Sequence, residues 1–465
     1  MAAFFFEGYN FLEYHLKRIA GVFMKVQFNN KLEERLVRGT LKVQKLLIYR
    51  IIQRTLLLIF PFALFGSFIK IIQTIVLGKE GFLTDVFPTF NNDYIYRLIE
   101  NIANALYNLS LGWVSVIAIF GAAKYTAKYY HRDDQLAGIT AISSLLIMDY
   151  AYSKVQPFSF HPNILGMRGL LFAIVSGMII GWIFKKFSRP APNLEKGQPT
   201  TGILERTFIS LKPIIISLII AIIFSTLINV TYYSEAPGNF INALSTEYTS
   251  SNNWTQLGKT LIFSIYTLIM SFFGWSGTYS ALGMEKMDVL STINLNYALQ
   301  KHTAWNAPNP FTSSTLYHAF ATFGGTGSIL GLIIAILIVS KDKDFQTVAR
   351  WAMIPSVFNI SSGVITGIPV LFNVIFLIPF LLAPLANMLM AAIAITLHLM
   401  PPSVYPVPVG TPGPLIAFIG TNGSWQALGF SILAIIISVY IYIPFVKMAA
   451  KVKLLDNPGI EEGEV

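Results

Sequence analysis

The sequence predicts an all-α polytopic membrane protein with about 8–10 transmembrane helices plus re-entrant hairpins. Of its 465 residues, 54% are apolar and only 12% are charged, and the mean hydropathy is +0.60. Soluble domains carry roughly 25% charged residues, and a soluble chain of this length could not bury so much apolar surface. The composition therefore excludes an ordinary soluble enzyme, a disordered chain and a coiled coil.

Stretches that are nearly free of charge locate the crossings, because a helix needs about 20 apolar residues to span a bilayer. The stretch 135–153 is the weakest candidate, since the charged residue Asp149 interrupts it. The predicted spans before the last third of the chain are 54–78, the stretch between Glu100 and Lys124, 135–153, the stretch between Arg168 and Lys185, 213–234, the stretch between Lys259 and Glu285, and 321–340.

The last third of the chain contains no charged residue from Trp351 to Val446, a stretch of 96 positions. Clusters of glycine, serine and proline interrupt it, and helices seldom continue through such clusters. We therefore expect two full spans, at about 371–399 and 426–446, and two re-entrant segments, at about 355–370 and 402–422. Broken helices of this kind are the best indication of a transport site that a sequence offers.

The distribution of Lys and Arg predicts the orientation. Residues 1–54 carry ten of these residues and 185–212 carry six, whereas 235–258 carry none. This alternation predicts cytoplasmic amino and carboxyl termini in a cytoplasmic membrane. It also requires an extra crossing or a re-entrant turn within 276–320 if both termini are to lie inside. We find no cleavable signal peptide, so the first span is expected to act as the insertion signal.

Three regions follow from this pattern. Residues 1–50 form a basic, partly amphipathic cytoplasmic segment, which either lies on the anionic leaflet or is a solvated tail. Residues 51–449 are expected to form a membrane domain with the broken helices of a transporter, and 450–465 a short cytoplasmic tail.

Several chemistries are not predicted. The chain has no cysteine, which excludes disulfides and thiol catalysis, and it has no Gly-rich lysine loop for a nucleotide. No His, Asp or Glu cluster has metal-ligand spacing, so neither a cofactor nor a metal is predicted. The net charge of +10 lies in the loops of a membrane protein, which makes the bilayer the expected partner and not nucleic acid. The six histidines are scattered; His318 and His398 fall in or near spans, where lone histidines usually satisfy a local hydrogen bond.

The carboxyl-terminal half contains an ordered set of short motifs that together resemble one family, the membrane component (IIC) of the lactose/cellobiose/diacetylchitobiose branch of the bacterial sugar phosphotransferase system. The resemblance covers about 35–453. The motifs are Asn309-Pro310-Phe311, Gly324-Gly325-Thr326-Gly327-Ser328, Pro355 to Ile360, Gly367 to Asn373, Ile378 to Pro384, Val407 to Pro412, Gly423 to Ala427 and Tyr442 to Phe445.

The resemblance implies a carrier that binds a sugar near the membrane midplane and moves it inward, while a separate cytoplasmic IIB partner phosphorylates the sugar. It also implies a homodimer. In the family, a histidine in a Phe-Phe-Gly-x-His-Gly motif and a glutamate in an Asn-Glu-Pro motif are expected to face the sugar. The IIB partner is phosphorylated on a cysteine, so no such domain is contained in this cysteine-free chain.

The sequence departs from the family at both positions. Ser276 follows Phe272-Phe273-Gly274-Trp275 where the histidine is expected, and Ser362 follows Phe358-Asn359-Ile360-Ser361 where the glutamate is expected. A serine hydroxyl donates and accepts hydrogen bonds but does not titrate near neutral pH. Losing a positioned acid–base group typically costs about 10²–10⁴ in rate. We therefore predict no catalytic residue, and whether the chain takes part in phosphoryl transfer stays open.

Five residues are candidates for sugar contacts, each with a simpler alternative. Ser276 and Ser362 occupy the motif positions, but both could be helix-breaking serines that bond to nearby backbone. Trp275 could stack on a sugar ring or pack in the core. Asn359 and Asn373 are amides in a long apolar stretch, where lining a cavity is favoured over a purely structural role.

Three functional hypotheses remain. The first is a carbohydrate carrier, for a disaccharide or oligosaccharide, in which the coupling of transport to phosphorylation is weakened or lost. The second is a permease that is still coupled and uses other residues. The third is a membrane sugar sensor that signals through its basic amino-terminal segment.

Overall fold

The computed structural model describes residues 30–78, 94–151, 159–160, 162–190, 201–233, 253–275, 279 and 289–456. Ser276 and residues 1–29 lie outside this part of the chain. The regular secondary structure of the described part is helical, apart from a pair of two-residue strands, β1 (Tyr150–Ala151) and β2 (Ser159–Phe160), which are antiparallel. The predicted all-α class is therefore confirmed.

The amino-terminal half forms one group of helices. Two of them, α2 and α3, continue directly into π-helical turns at Ile72–Val76 and Asn108–Gly112, and the 3₁₀ turn Met167–Gly169 precedes α7. The helices are α1 (Asn30–Gln44), α2 (Leu47–Ile71), α3 (Tyr94–Tyr107), α4 (Val114–Tyr129), α5 (Asp134–Asp149), α6 (Pro162–Leu165), α7 (Leu170–Phe187) and α8 (Thr201–Tyr233).

The carboxyl-terminal half has shorter and more interrupted helices. A π-helix, Ser314–Ala321, lies between α10 and α11. The helices are α9 (Asn253–Phe272), α10 (Val289–Lys301), α11 (Ile329–Val339), α12 (Lys343–Val357), α13 (Ser362–Gly367), α14 (Val374–Thr396), α15 (Gly413–Gly420) and α16 (Trp425–Asp456).

Six helical segments in the described part of the chain are long and apolar enough to cross a membrane. They match the first, second, fourth and fifth predicted spans and the two full spans of the uncharged region. Three other predicted spans are helical but shorter or less apolar, namely α5, α9 and α11. The six segments are Leu47–Val76, Tyr96–Tyr129, Met167–Phe187, Thr207–Leu227, Val374–Thr396 and Trp425–Lys453.

Small residues let the amino-terminal helices approach closely. A Cβ atom added at Gly177 on α7 would lie 2.6 Å from the carbonyl oxygen of Ile119 on α4. One added at Gly181 would lie 2.5 Å from Cβ of Thr126. In a membrane, where burial away from water does not drive helices together, such close backbone contact is a main source of association. By contrast, Ile219 and Ile223 on α8 are more than half exposed, as expected of a face that contacts lipid.

The first re-entrant segment differs from its predicted bounds. It was expected to begin near residue 355, but α12 begins at Lys343, because the Asp342 carboxylate accepts hydrogen bonds from the backbone N–H groups of Asp344 and Phe345. The helix then breaks at 358–361, and the short helix α13 follows, with Gly363 to Gly367 buried. The second segment, expected at 402–422, contains the short helix α15.

The two ends of the described chain lie at the same end of the bundle. The Lys451 ammonium on α16 is 3.0 Å from the Glu33 carboxylate on α1. The Lys453 ammonium is 2.7 Å from carboxylate oxygens of Asp342 and Asp344, at the start of α12. We call this end of the bundle the paired end.

Helix α14 runs antiparallel to α16. The side chain of Asn387 on α14 bonds to Ser438 on α16, while Phe380, earlier on α14, lies near Gly327, to which Tyr442 bonds. The carboxyl end of α14 therefore points away from the paired end.

Candidate functional site

Asn359 ties together three interruptions of helical structure. Its Oδ1 atom accepts a hydrogen bond from the backbone N–H of Gly324 at 2.9 Å, and its Nδ2 atom donates to the carbonyl oxygen of Thr411 at 3.5 Å. Asn359 itself follows α12 with a left-handed φ of 62°. We call the meeting place of 322–328, 358–361 and 411–413 the three-break junction.

The glycine-rich turn at 322–328 supplies one side of the junction. Gly324, Gly325 and Gly327 all have left-handed φ values, between 77° and 95°. A Cβ atom at Gly325 would lie 2.7 Å from the Ser361 hydroxyl, and one at Gly327 would lie 2.3 Å from the Phe380 ring. The turn therefore needs glycine both for its conformation and for the closeness of its protein neighbours.

A buried polar network supports this turn from behind. The Tyr442 hydroxyl on α16 donates to the carbonyl oxygen of Gly327 at 2.6 Å. The Asn387 amide on α14 donates to the hydroxyls of Ser438 at 2.9 Å and Ser328 at 3.4 Å. All of these side chains are buried. Hydrogen-bonded polar groups inside an apolar bundle hold one arrangement firmly, because an unpaired partner would be costly.

The Phe272–Trp275 block lies beside the same region. The ring centroids of Phe272 and Phe380 are 5.5 Å apart, and those of Phe273 and Phe372, in the loop before α14, are 5.8 Å apart. Trp275 follows with its side chain 54% exposed. Its neighbour Ser276 is outside the described residues. The block thus approaches the three-break junction through Phe272, because Phe380 lies against Gly327, whereas Phe273 contacts the loop before α14.

The other predicted residues have local hydrogen bonds. Ser362 is half-buried at the start of α13, and its carbonyl oxygen accepts from the Thr366 hydroxyl at 2.8 Å. Asn373 is buried and caps α14: its Oδ1 accepts from the N–H of Ile375 at 3.1 Å, and its Nδ2 donates to the Pro369 carbonyl at 3.3 Å. Ser362 and Asn359 lie at the same break, between α12 and α13. Asn373 lies at the next break, between α13 and α14.

The junction is electrically neutral. The chain has no charged residue from 351 to 446, so the polar groups here are amides, hydroxyls and backbone. Within the residues that the structure describes, no group of three or more His, Asp or Glu side chains could hold a metal. A site of this composition can orient a neutral ligand that both donates and accepts hydrogen bonds.

Sequence reasoning missed a cavity of about 430 Å³ that lies away from the three-break junction. It is lined by residues at the start of α9, at the end of α14 and in the loop that follows α10, among them Trp254, Trp305, Asn306 and His398. The cluster of aromatic and amide residues at 305–311 was a signal for it. From the sequence, its Asn309-Pro310-Phe311 part indicated only a family motif.

Together, these features define a class of protein: a multi-pass membrane protein whose uncharged half is built from interrupted helices that meet at a neutral, polar junction. Interrupted helices of this kind are typical of membrane carriers, in which non-helical backbone lines the route of the ligand.

Comparison with known proteins then identifies the family. The family model described as "Phosphotransferase system, EIIC" matches residues 53–384. The chain belongs to this family.

Individual relatives agree with this assignment. The cellobiose-specific EIIC component of Lactococcus lactis is 43% identical over 30% of this chain, and the match spans only 28% of that relative's length. The lactose-specific EIICB component of Staphylococcus epidermidis is 23% identical over 86% of this chain and 69% of its own length. The oligo-beta-mannoside-specific EIIC component of Bacillus subtilis is 22% identical over 87% of this chain and 90% of its own.

A solved structure also matches. It is the transporter ChbC, the IIC component from the N,N'-diacetylchitobiose-specific phosphotransferase system, at 19% identity and a TM-score of 0.40, with 92% of this chain and 100% of that chain covered.

Proposed function

We propose that this protein is a carbohydrate carrier that binds a neutral disaccharide or oligosaccharide at the three-break junction and moves it across the cytoplasmic membrane. The observation that carries the proposal is the neutral, amide- and hydroxyl-bearing junction formed by Asn359 where three helices are interrupted. The names of the relatives, which specify cellobiose, lactose and an oligo-beta-mannoside, support the ligand class.

Ser276, Trp275, Asn359, Ser362 and Asn373 are the proposed sugar-contacting residues. Asn359 and Ser362 lie at one break, and Trp275 presents a half-exposed ring beside the block that packs against α14. The proposal for Ser276 rests on its motif position alone. Asn373 contributes by fixing the loop that precedes α14, since its amide is already bonded to backbone.

Coupling to phosphorylation is proposed to be weakened or lost. Neither Ser276 nor Ser362 can remove a proton from a sugar hydroxyl near neutral pH, because a serine hydroxyl does not titrate there. Loss of one positioned acid–base group costs about 10²–10⁴ in rate, and here both expected groups are replaced. The alternatives are a permease that is still coupled through other residues and a sugar sensor that signals through the basic segment 1–50.

The paired end is proposed to face the cytoplasm. It brings together Glu33, Asp342, Lys451 and Lys453, and the segments on either side of these contacts are rich in Lys and Arg. Basic residues accumulate on the cytoplasmic side of membrane proteins. The proposed partners are a separate IIB phosphocarrier at this end and a second copy of the chain, as the family resemblance implies.

Uptake of radiolabelled cellobiose and lactose into membrane vesicles, with and without IIB and the phosphorelay proteins, distinguishes the three functions. Our proposal predicts that unmodified sugar accumulates inside and that its uptake changes little when the phosphorelay is added. Sugar phosphate inside would support the coupled permease. Equilibrium binding without flux would support the sensor, and neither binding nor flux would contradict the proposed function.

The double variant Ser276→His with Ser362→Glu tests the motif alignment. If both serines occupy the positions of the missing acid–base groups, this variant gains measurable phosphoryl transfer from phosphorylated IIB to the sugar. The matched control is Ser276→Gln with Ser362→Gln, which adds similar bulk without a titratable group. Equal activity in the two variants, with sugar binding intact in both, would contradict the assignment.

A further inference from the structure

The 430 Å³ cavity has the composition of a carbohydrate-binding cleft. Trp254 and Trp305 supply two indoles, Asn253 and Asn306 supply two amides, and His398 supplies an imidazole. Trp254 is 64% exposed, so much of its ring is open to a ligand. Flat aromatic faces pack against the C–H faces of a sugar while amides and imidazole bond to its hydroxyls, and a cleft of roughly 300–1,000 Å³ can hold a small ligand.

Side-chain hydrogen bonds hold the walls of this cavity in place. The amide of Asn294 on α10 is fully buried and bonds twice to Asn309: its Nδ2 donates to the carbonyl oxygen at 2.6 Å, and its Oδ1 accepts from the N–H at 3.0 Å. The Thr260 hydroxyl on α9 donates to the Phe311 carbonyl at 2.8 Å. The loop that carries Trp305 and Asn306 is therefore fixed to two helices, which pre-organises it for binding.

Backbone conformation also points to the lining residues. Asn306 and His398 have left-handed φ values of 60° and 54°. His398 follows the carboxyl end of α14, where glycine would adopt this conformation without strain. Non-glycine residues held in this region tend to cluster at ligand sites. Here the two residues place an amide and an imidazole in the wall of the same cavity.

The cavity is distant from the three-break junction. Helix α9 has 20 residues and so spans about 30 Å. Asn253 and Trp254 begin it at the cavity, whereas Phe272 ends it near Phe380. The cavity also includes Ile395 and Thr396, at the end of α14 that points away from the paired end. It thus opens at the end of the bundle that is opposite the paired end.

We propose that this cavity is a second carbohydrate site, which captures the sugar on the outer side before it reaches the three-break junction. The ligand class and the outer location rest on the proposed function, whereas the existence of the site rests on the cavity itself. The two indoles stack on the sugar, and the amides and the imidazole bond to its hydroxyls.

The absence of cysteine allows a test that does not depend on transport. Thr396→Cys places a single thiol in the exposed part of the cavity wall, and Thr255→Cys places one on an exposed residue of α9 outside it. The rate of labelling by a membrane-impermeant maleimide is measured with cellobiose, lactose or mannobiose, with sugar-free buffer as the reference. At least one of the three sugars is expected to slow labelling of Thr396→Cys and to leave Thr255→Cys unchanged.

Adding Trp305→Leu to Thr396→Cys is expected to raise the sugar concentration that gives half-maximal protection about tenfold, the equivalent of one lost stacking contact. Half-maximal protection at an unchanged sugar concentration in the Trp305→Leu background, protection of both cysteines alike, or protection of neither by any of the sugars would overturn the proposal. Uptake by the unmodified chain, without protection at Thr396→Cys, would contradict the proposed capture site but not the proposed transport function. Protection of Thr396→Cys without uptake would contradict the proposed transport function but not the presence of the second site.

Discussion

Asn359 holds together loops that are far apart along the chain. Its two hydrogen-bond partners, Gly324 and Thr411, are 35 and 52 residues away. The sequence allowed the prediction that an amide in this apolar stretch needs partners, and the structure supplies them from protein backbone. The sequence could not show which groups these partners are, because partners that are distant along the chain depend on how the helices pack and not on a local pattern.

Replacement of Asn359 by alanine is expected to lower the free energy of unfolding by about 1–3 kcal/mol more than the matched change Asn422→Ala. The excess arises because the Gly324 N–H loses its acceptor inside the bundle. Asn422 has a similar left-handed φ of 59° and is exposed, so it reproduces the backbone effect alone. Unfolding of the purified protein in detergent provides the measurement, and equal losses for the two variants would show that the side-chain bonds contribute nothing.

At the scale of elements, the charge-free windows located most of the long helices but not their ends. Spans were expected to exclude charged residues, so the helix that leads into the first break was expected near residue 355. It begins at Lys343, because the Asp342 side chain caps it and the charges lie at the paired end, where they pair with Lys453. Charge thus marks where a helix leaves the apolar layer, and hydrogen bonding determines where the helix itself begins.

Helix α16 bonds directly to the glycine turn through the buried hydroxyl of Tyr442. The variant Tyr442→Phe keeps the ring and removes the donor to the Gly327 carbonyl, so we expect a loss of about 1–2 kcal/mol in the free energy of unfolding. The control is Tyr405→Phe, in the half-buried loop before α15. Thermal unfolding in detergent tests both variants, and a Tyr442→Phe protein as stable as the control would show that the turn does not depend on this bond.

For the whole molecule, the ion pairs show that the two ends of the described chain lie together, and the distribution of basic residues supports the proposal that this end faces the cytoplasm. Single cysteines in this cysteine-free chain test that relation directly. Thr347→Cys lies on α12 near the paired end, and Thr255→Cys lies at the opposite end of the bundle; both residues are exposed. We expect an impermeant maleimide to label Thr255→Cys in intact cells and Thr347→Cys only after permeabilisation, and the reverse result would invert the proposed orientation.

The class, the uncharged carboxyl-terminal stretch and the presence of breaks within it could all be predicted from the sequence, because they depend on composition and on local helix breakers. The cavity of about 430 Å³ could not, because Trp254, Trp305 and His398 come from three distant segments. His398 in particular was expected to satisfy a local hydrogen bond, and the structure places it in the cavity wall.

The central claim is that the three-break junction binds the sugar, and protection of a thiol at Ser362 tests it most directly. In the Ser362→Cys protein, with Thr347→Cys as the control, the rate of labelling by a small maleimide is measured at rising concentrations of a sugar that the unmodified protein binds. The account predicts that labelling of Ser362→Cys slows with the same half-saturation as equilibrium binding, while labelling of Thr347→Cys stays constant. An unchanged rate at Ser362→Cys, when binding of the sugar to that variant has been confirmed, would contradict it.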